Sequence, residues 1–139
     1  MTNGTAIKKN YRNKRAYVKV KGAIINPITT RQIPLDCECR IDTGFDGGIM
    51  LPFWHMDELR DINVEARPTN ITVADGRKVP AYVCVAHIQE LENHPFLMPG
   101  RPVMLVMFGK LEGVLLGMDS LKYTTILFDG PNQAYTMNP

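Results

Sequence analysis

The sequence predicts an all-β domain with one or two short helices, and three observations carry that prediction. Residues 17–21, Tyr-Val-Lys-Val-Lys, alternate apolar and polar side chains, the pattern of a strand with one buried face. Asp75-Gly76 stands between two strand-like segments and is a strong hairpin signal. Apolar runs at 102–108 and 113–116 flank Gly109-Lys110 and read as two further strands.

Taken in order, residues 1–15 are expected to be a basic, flexible arm and residues 16–139 a single domain. Residues 16–25 form the first expected strand, with Val18 and Val20 on one face and Lys19 and Lys21 on the other. Asn26-Pro27 opens a turn that runs to Gln32, and residues 33–41 form the strand that delivers Asp42. A short strand is expected at 49–51. Pro52 suits a helix start, and Met56, Leu59 and Ile62 recur at near-helical spacing over 54–62, with Trp54 read as a packing residue. Strands at 69–73 and 79–88 enclose the Asp75-Gly76 turn. Residues 90–102, with Pro95, Pro99, Gly100 and Pro102, read as a surface loop. One or two helical turns are expected at 118–123 and a last strand at 124–128. Asp129-Gly130-Pro131 is expected to end that strand and leave a short tail.

The chain of 139 residues is long enough for one domain with a real core, which buries roughly two-thirds of the unfolded surface at this size. Its 45% apolar and 22% charged residues are ordinary for a globular protein. No apolar run approaches the roughly 20 residues that span a bilayer, so no membrane partner is expected. No apolar leader stretch is visible, so the cytoplasm is the expected location. Cys37, Cys39 and Cys84 are odd in number and give no disulfide framework. Cys37 and Cys39 share a strand face. His55, His87 and His94 are scattered, so neither a metal, a cofactor nor a Cys-His hydrolase is expected. Net charge is +2 but uneven: residues 1–35 hold eight Lys or Arg and no acid, and the remainder hold eight against fourteen acids. A basic arm can bind nucleic acid or an acidic partner, or be a solvated face. The solvated reading is favoured, because Tyr11 and Tyr17 accompany no nucleic-acid motif.

Two stretches carry chemistry. In Cys39-Arg40-Ile41-Asp42-Thr43-Gly44-Phe45-Asp46-Gly47-Gly48-Ile49-Met50-Leu51-Pro52, an apolar lead-in, a polar loop and a second apolar strand follow one another. Such a frame holds a carboxylate in place while leaving it reachable. Two Asp side chains held together cannot both ionise; one then takes a proton from water while the other donates to a carbonyl oxygen. Thr43 can hydrogen-bond backbone, and Gly44 lets the backbone approach a substrate chain. Gly113-Val114-Leu115-Leu116-Gly117-Met118-Asp119-Ser120-Leu121 answers it near the C-terminus with an apolar strand, a Gly and a helical start. Taken singly, each stretch is also consistent with a plain turn.

The combination of Asp42-Thr43-Gly44-Phe45-Asp46-Gly47 with Leu51-Pro52, a hairpin, and Leu115-Leu116-Gly117-Met118-Asp119 resembles the retropepsin-like aspartic proteases, above all their single-domain prokaryotic members, over residues 16–129. The resemblance implies a closed β-barrel of the acid-protease type, one lobe per chain. It implies Asp42 as the catalytic group, Thr43 and Gly44 in the active-site loop, and Leu115, Leu116 and Gly117 in the second loop. Gly44 and Asp46, together with Val73, Ala74, Asp75 and Gly76 at the tip of a flap, would line the substrate. Asp119 lies in the wrong motif to be a second catalytic Asp. One Asp-Thr-Gly per chain then requires a homodimer, with Asp42 facing its copy across a two-fold axis and a peptide or protein as substrate. Retroviral enzymes usually carry Ala where Phe45 stands and Arg where Met118 stands, so the dimer needs another source of stability. Competing readings are a non-catalytic peptide- or nucleic-acid-binding module on the same fold, and an unrelated small β protein whose two motifs are turns.

Overall fold

The computed structural model describes residues 6–52, 56–72, 75–96, 102–107, 109 and 113–138. Among the described residues, eleven strands and two short helices run β1 (Ile7–Asn10), β2 (Tyr17–Ile25), β3 (Gln32–Ile41), β4 (Ile49–Leu51), α1 (Met56–Asp61), β5 (Arg67–Thr72), β6 (Lys78–Leu91), β7 (His94–Pro95), β8 (Pro102–Met107), β9 (Val114–Leu116), α2 (Met118–Leu121), β10 (Thr125–Asp129) and β11 (Ala134–Asn138).

Six strands close a barrel in the order β2-β3-β9-β4-β8-β6, and β6 returns to β2. The β2–β3 hairpin is antiparallel, with Val18 opposite Cys39 and Val20 opposite Cys37. β3 lies parallel to β9, and β4 lies parallel to β8. Closure rests on the pairing of β2 with the far end of β6, where the register shifts between Lys21 and Gly22. A Cβ at Gly22 would lie 2.2 Å from the carbonyl oxygen of His87, so only glycine allows the two strands to meet. Inside the barrel, alternate residues of β2, β3, β6, β8 and β9 form one apolar core that includes Val18, Val20, Cys39, Ile88, Leu105 and Leu116. The turn after β2 is held by Asn26. Its side-chain amide donates to the carbonyl of Ile62 at 2.7 Å, and its oxygen accepts from the backbone N–H of Ile28 at 2.9 Å.

Outside the barrel, β5 pairs with the first half of β6 as a long hairpin, and Gly76 at its turn has φ of +86°. Val73 and Ala74 lie outside the described residues, as do Trp54 and Phe108. The expected 54–62 helix appears among the described residues as α1, which ends at Asp61 and buries Leu59 toward the core.

Three expectations are corrected. Residues 90–102 are not simply a loop: β6 runs to Leu91 and turns back into β7 through Glu92 and Asn93, both at positive φ. Glu92 is held there by its N–H donating to the carbonyl of Lys19 at 2.8 Å and by an ion pair with Lys9 at 3.0 Å, while Phe96 plugs the core. The basic segment expected to be a flexible arm contributes β1. The short tail is a further strand, β11, which pairs with both β1 and β10 in a separate three-stranded sheet. Ile7, Tyr135 and Met137 from that sheet pack into the main core. The Tyr135 hydroxyl donates to the carbonyl of Tyr17, and burial pushes its pKa up.

Because Met137 is fully buried, Met137→Ala should lower unfolding stability by about 2–5 kcal/mol, measured by urea denaturation. A loss under about 0.5 kcal/mol would place the terminal strand outside the core.

Candidate active site

Asp42 leaves the end of β3 where the barrel interior gives way to a loop. Its backbone N–H donates to the carbonyl of Leu116 at 2.9 Å, so the end of β9 sets its height. Its Oδ1 accepts the N–H of Gly44 at 3.0 Å, which turns the carboxylate back over its own loop. The side chain is half-buried, while Thr43, Gly44 and Asp46 are exposed. A Cβ on Gly44 would sit 3.3 Å from Oδ1 and crowd that carboxylate.

The second stretch clamps the first. Gly117 donates its N–H to the carbonyl of Gly48 at 2.9 Å, Met118 to Phe45 at 2.8 Å and Asp119 to Gly47 at 3.1 Å. The Ser120 hydroxyl, buried, also donates to Gly48 at 3.1 Å. Contact is so close that a Cβ on Gly117 would lie 2.3 Å from the Gly47 oxygen and 2.4 Å from the Phe45 ring. Gly48 is similarly confined, since a Cβ on it would lie 2.6 Å from the Val103 side chain. Thus Leu115, Leu116 and Gly117 hold the Asp42 loop in place rather than face outward. Leu116 lies in the main core.

Asp119 is structural. One oxygen accepts the N–H of Met104 at 2.7 Å and the other pairs with Lys122 at 2.9 Å. Burial alone would raise its pKa; the Lys122 and Met104 hydrogen bonds outweigh that and hold it below the usual carboxylate range. Met118 is partly exposed beside it.

Between the Asp42 loop and the hairpin lies a second apolar cluster. Met50, Ala81, Val106 and Leu115 are buried there, with Phe45, Ile71 and Val83 packed against them. It joins the loop, the barrel wall and the base of the β5–β6 hairpin. At the hairpin turn, Asp75 accepts the N–H of Arg77 at 3.0 Å and pairs with its side chain at 2.6 Å. Among the described residues, Asp75 and Gly76 do not meet the Asp42 loop in any hydrogen bond.

On its other side Asp42 opens into a cavity of about 480 Å³. Lys14, Arg15 and Arg40 line it together with Tyr11, Thr43 and Phe128. None of these three cations was a candidate from sequence. Arg40, near the end of β3, precedes Asp42 by two residues, and that spacing was the available signal.

Two of the three thiols are held in the neutral form, while the contact with Cys39 lowers the pKa of half-buried Cys37. Burial raises Cys84 to about 11. Cys39, its Sγ 3.8 Å from that of Cys37, is raised first by that contact and then by burial. Among the described residues, no three His, Cys, Asp or Glu side chains are grouped to hold a metal ion. No described helix is long and apolar enough to cross a membrane.

The fold is that of the retropepsin-like proteases. A crystal structure of a retropepsin-like aspartic protease from Rickettsia conorii superposes with a TM-score of 0.56 at 14% identity, covering 96% of this chain and 89% of that one. No protein-family model and no curated protein matches the sequence.

Gly117→Ala should cost about 3 kcal/mol or more in urea unfolding, because the displaced atoms are backbone. Gly130→Ala, with open space around it, should stay within about 0.5 kcal/mol of the parent. Equal losses would contradict the clamp. Asp119 also makes a pH prediction. Its folded pKa is depressed, so its contribution is complete above the unfolded value and is lost as pH falls through the folded one. Stability measured from pH 6 to pH 2 should therefore fall less steeply in Asp119→Asn than in the parent; parallel curves would refute this.

Proposed function

We propose that the chain is an aspartic endopeptidase whose active site forms between two copies. The observation that carries this reading is Asp42. It is a half-buried carboxylate at a strand end, oriented by the Gly44 N–H and held by a loop locked to the second motif. The likeness of fold to an aspartic protease supports it.

The chemistry needs two carboxylates, and the chain supplies one in this setting. A two-fold axis beside Asp42 would bring its copy into contact, one proton shared between them. One carboxylate takes a proton from the attacking water and the other gives one to the carbonyl oxygen, producing a gem-diol. Collapse of the diol breaks the C–N bond as the leaving nitrogen takes a proton. Thr43, exposed beside the carboxylate, would brace the two loops. Gly44 and Asp46 would line the cleft, and the partly buried Phe45, Ile71 and Val83 at the edge of the second apolar cluster would meet an apolar side chain. The β5–β6 hairpin, with Asp75 and Gly76 at its turn, would close over the peptide as an added strand.

β10 offers the surface for the second copy. It is an edge strand, with β11 on one side and no described strand on the other. Leu127 on it is 68% exposed, and Phe128 reaches the Asp42 cavity. An exposed apolar edge beside an incomplete site is an unfilled pairing surface.

The native chain should cleave peptides from a mixed library between mildly acidic and neutral pH. Asp42→Asn should reduce the rate by about 10³-fold or more. Cleavage by both proteins would place the chemistry elsewhere, and silence from a folded native chain would favour a peptide-binding module. Leu127→Glu should shift the dimer to monomer in sedimentation velocity, with at least about a tenfold weaker dimer constant. An unchanged constant would move the interface away from β10.

A further inference from the structure

We infer that Lys14, Arg15 and Arg40 form a carboxylate-recognition subsite beside Asp42, and that the favoured peptide carries Asp or Glu next to the bond that is cut. The inference takes its substrate from the peptidase reading above and adds the substrate's charge.

Three observations carry it. The first is convergence. The three cations come from two separate elements, the turn before β2 and the end of β3, yet they line one cavity with Asp42. Their mounting is rigid. Arg12 and Arg15 exchange backbone hydrogen bonds at 2.9 and 3.1 Å, and the N–H of Ile41 donates to the carbonyl of Ala16 at 2.9 Å. The turn is thereby tied to the strand that carries the catalytic residue.

The second is the absence of internal neutralisation. Arg12 in the same turn is occupied: it pairs with Glu38 and lies 4.1 Å from the centre of the Tyr17 ring. Lys9 pairs with Glu92 and Lys122 with Asp119. Among the described residues, Lys14, Arg15 and Arg40 form no ion pair. The cavity therefore sets three cations, none of them in an ion pair, against the single carboxylate of Asp42.

The third is strain. Asn13 and Lys14 have φ of 52° and 62°, the geometry of a type I′ turn. Asn tolerates that conformation, but at the second position glycine is the relaxed choice and Lys is not. A lysine kept in a strained conformation at the mouth of a functional cavity is where function is expected to outweigh stability.

The ligand that fits is an acidic side chain. Arg15 and Arg40 offer planar, two-pronged donors that match a carboxylate, and Lys14 adds a point charge. A volume of about 480 Å³ holds one or two side chains. A nucleic-acid backbone is disfavoured because the neighbouring Arg12 and Lys9 are already paired, which leaves no extended track of free cations for a polyanion.

The test uses the full chain carrying Asp42→Asn, which separates binding from cleavage. Fluorescence anisotropy would compare a fluorescein-labelled decapeptide having two Glu on each side of a central Phe-Leu with the same peptide having Gln. The Glu peptide should bind about tenfold tighter at low salt, with the advantage shrinking at high salt. Changing all three cations to Ala should erase that advantage, each exposed pair contributing up to about fivefold. Lys14→Gly should lower Glu-peptide affinity yet raise the melting temperature, a combination that a merely structural lysine would not produce. Equal affinity for both peptides overturns the inference. So does tighter binding of a labelled oligo-dT 20-mer, or a charge effect confined to dimer formation. Selective Glu-peptide binding without cleavage by the native chain sustains the subsite and overturns the peptidase reading. Cleavage by the native chain with no acidic preference sustains the peptidase and overturns the subsite.

Discussion

The structure depends on the contact between Gly117 and the loop from Phe45 to Gly48. No side chain fits there: a single Cβ would reach within 2.3 Å of the Gly47 oxygen. The backbones meet directly, and four hydrogen bonds from Gly117, Met118, Asp119 and Ser120 fasten them. Each of those donors belongs to β9's exit or the first turn of α2, and each acceptor belongs to the loop that follows Asp42. The N–H of Asp42 itself ends on Leu116. The carboxylate is therefore positioned by two chain segments about seventy residues apart in sequence, both anchored in a close-packed barrel.

That arrangement explains where the apolar residues go. Short strands β4 and β9 are almost wholly buried, since they cross the barrel beneath the loop and are paired on both sides. Gly22 plays the same part at the seam, where its missing Cβ lets β2 close onto β6. Asp119, a carboxylate near the site, is spent on Met104 and Lys122 and holds β8 to α2. Asp42 is left with one backbone donor on its side chain and an open cavity in front.

Much of this was legible in the sequence, and the limits have physical causes. β2 showed as alternation, β3 as the stretch leading into Asp42, and β4, β8 and β9 as short apolar runs. Asp42 and Gly117 showed as motifs, because their local geometry admits few residue types. β1 did not show: Ile-Lys-Lys-Asn has one apolar side chain, and pairing with β11 at the far end of the chain makes it a strand. The β6–β7 connection was missed because its turn uses Glu92 and Asn93 at positive φ without a glycine, and β11 because Asp129-Gly130-Pro131 read as a strand end while the positive-φ position falls on Gln133. The basic turn was visible only as an excess of charge. Its convergence on Asp42 depends on which way β3 faces and on a backbone bond between Ala16 and Ile41, neither of which is local.

The central claim is that two copies of Asp42 share one reaction, and subunit mixing tests it most directly. Native and Asp42→Asn chains would be unfolded together, refolded and assayed at constant total protein. If both carboxylates are required, an equal mixture retains about one quarter of the native rate, since only native pairs are active. A retained half would mean that each chain works alone with a single aspartate, and the two-chain account would be wrong.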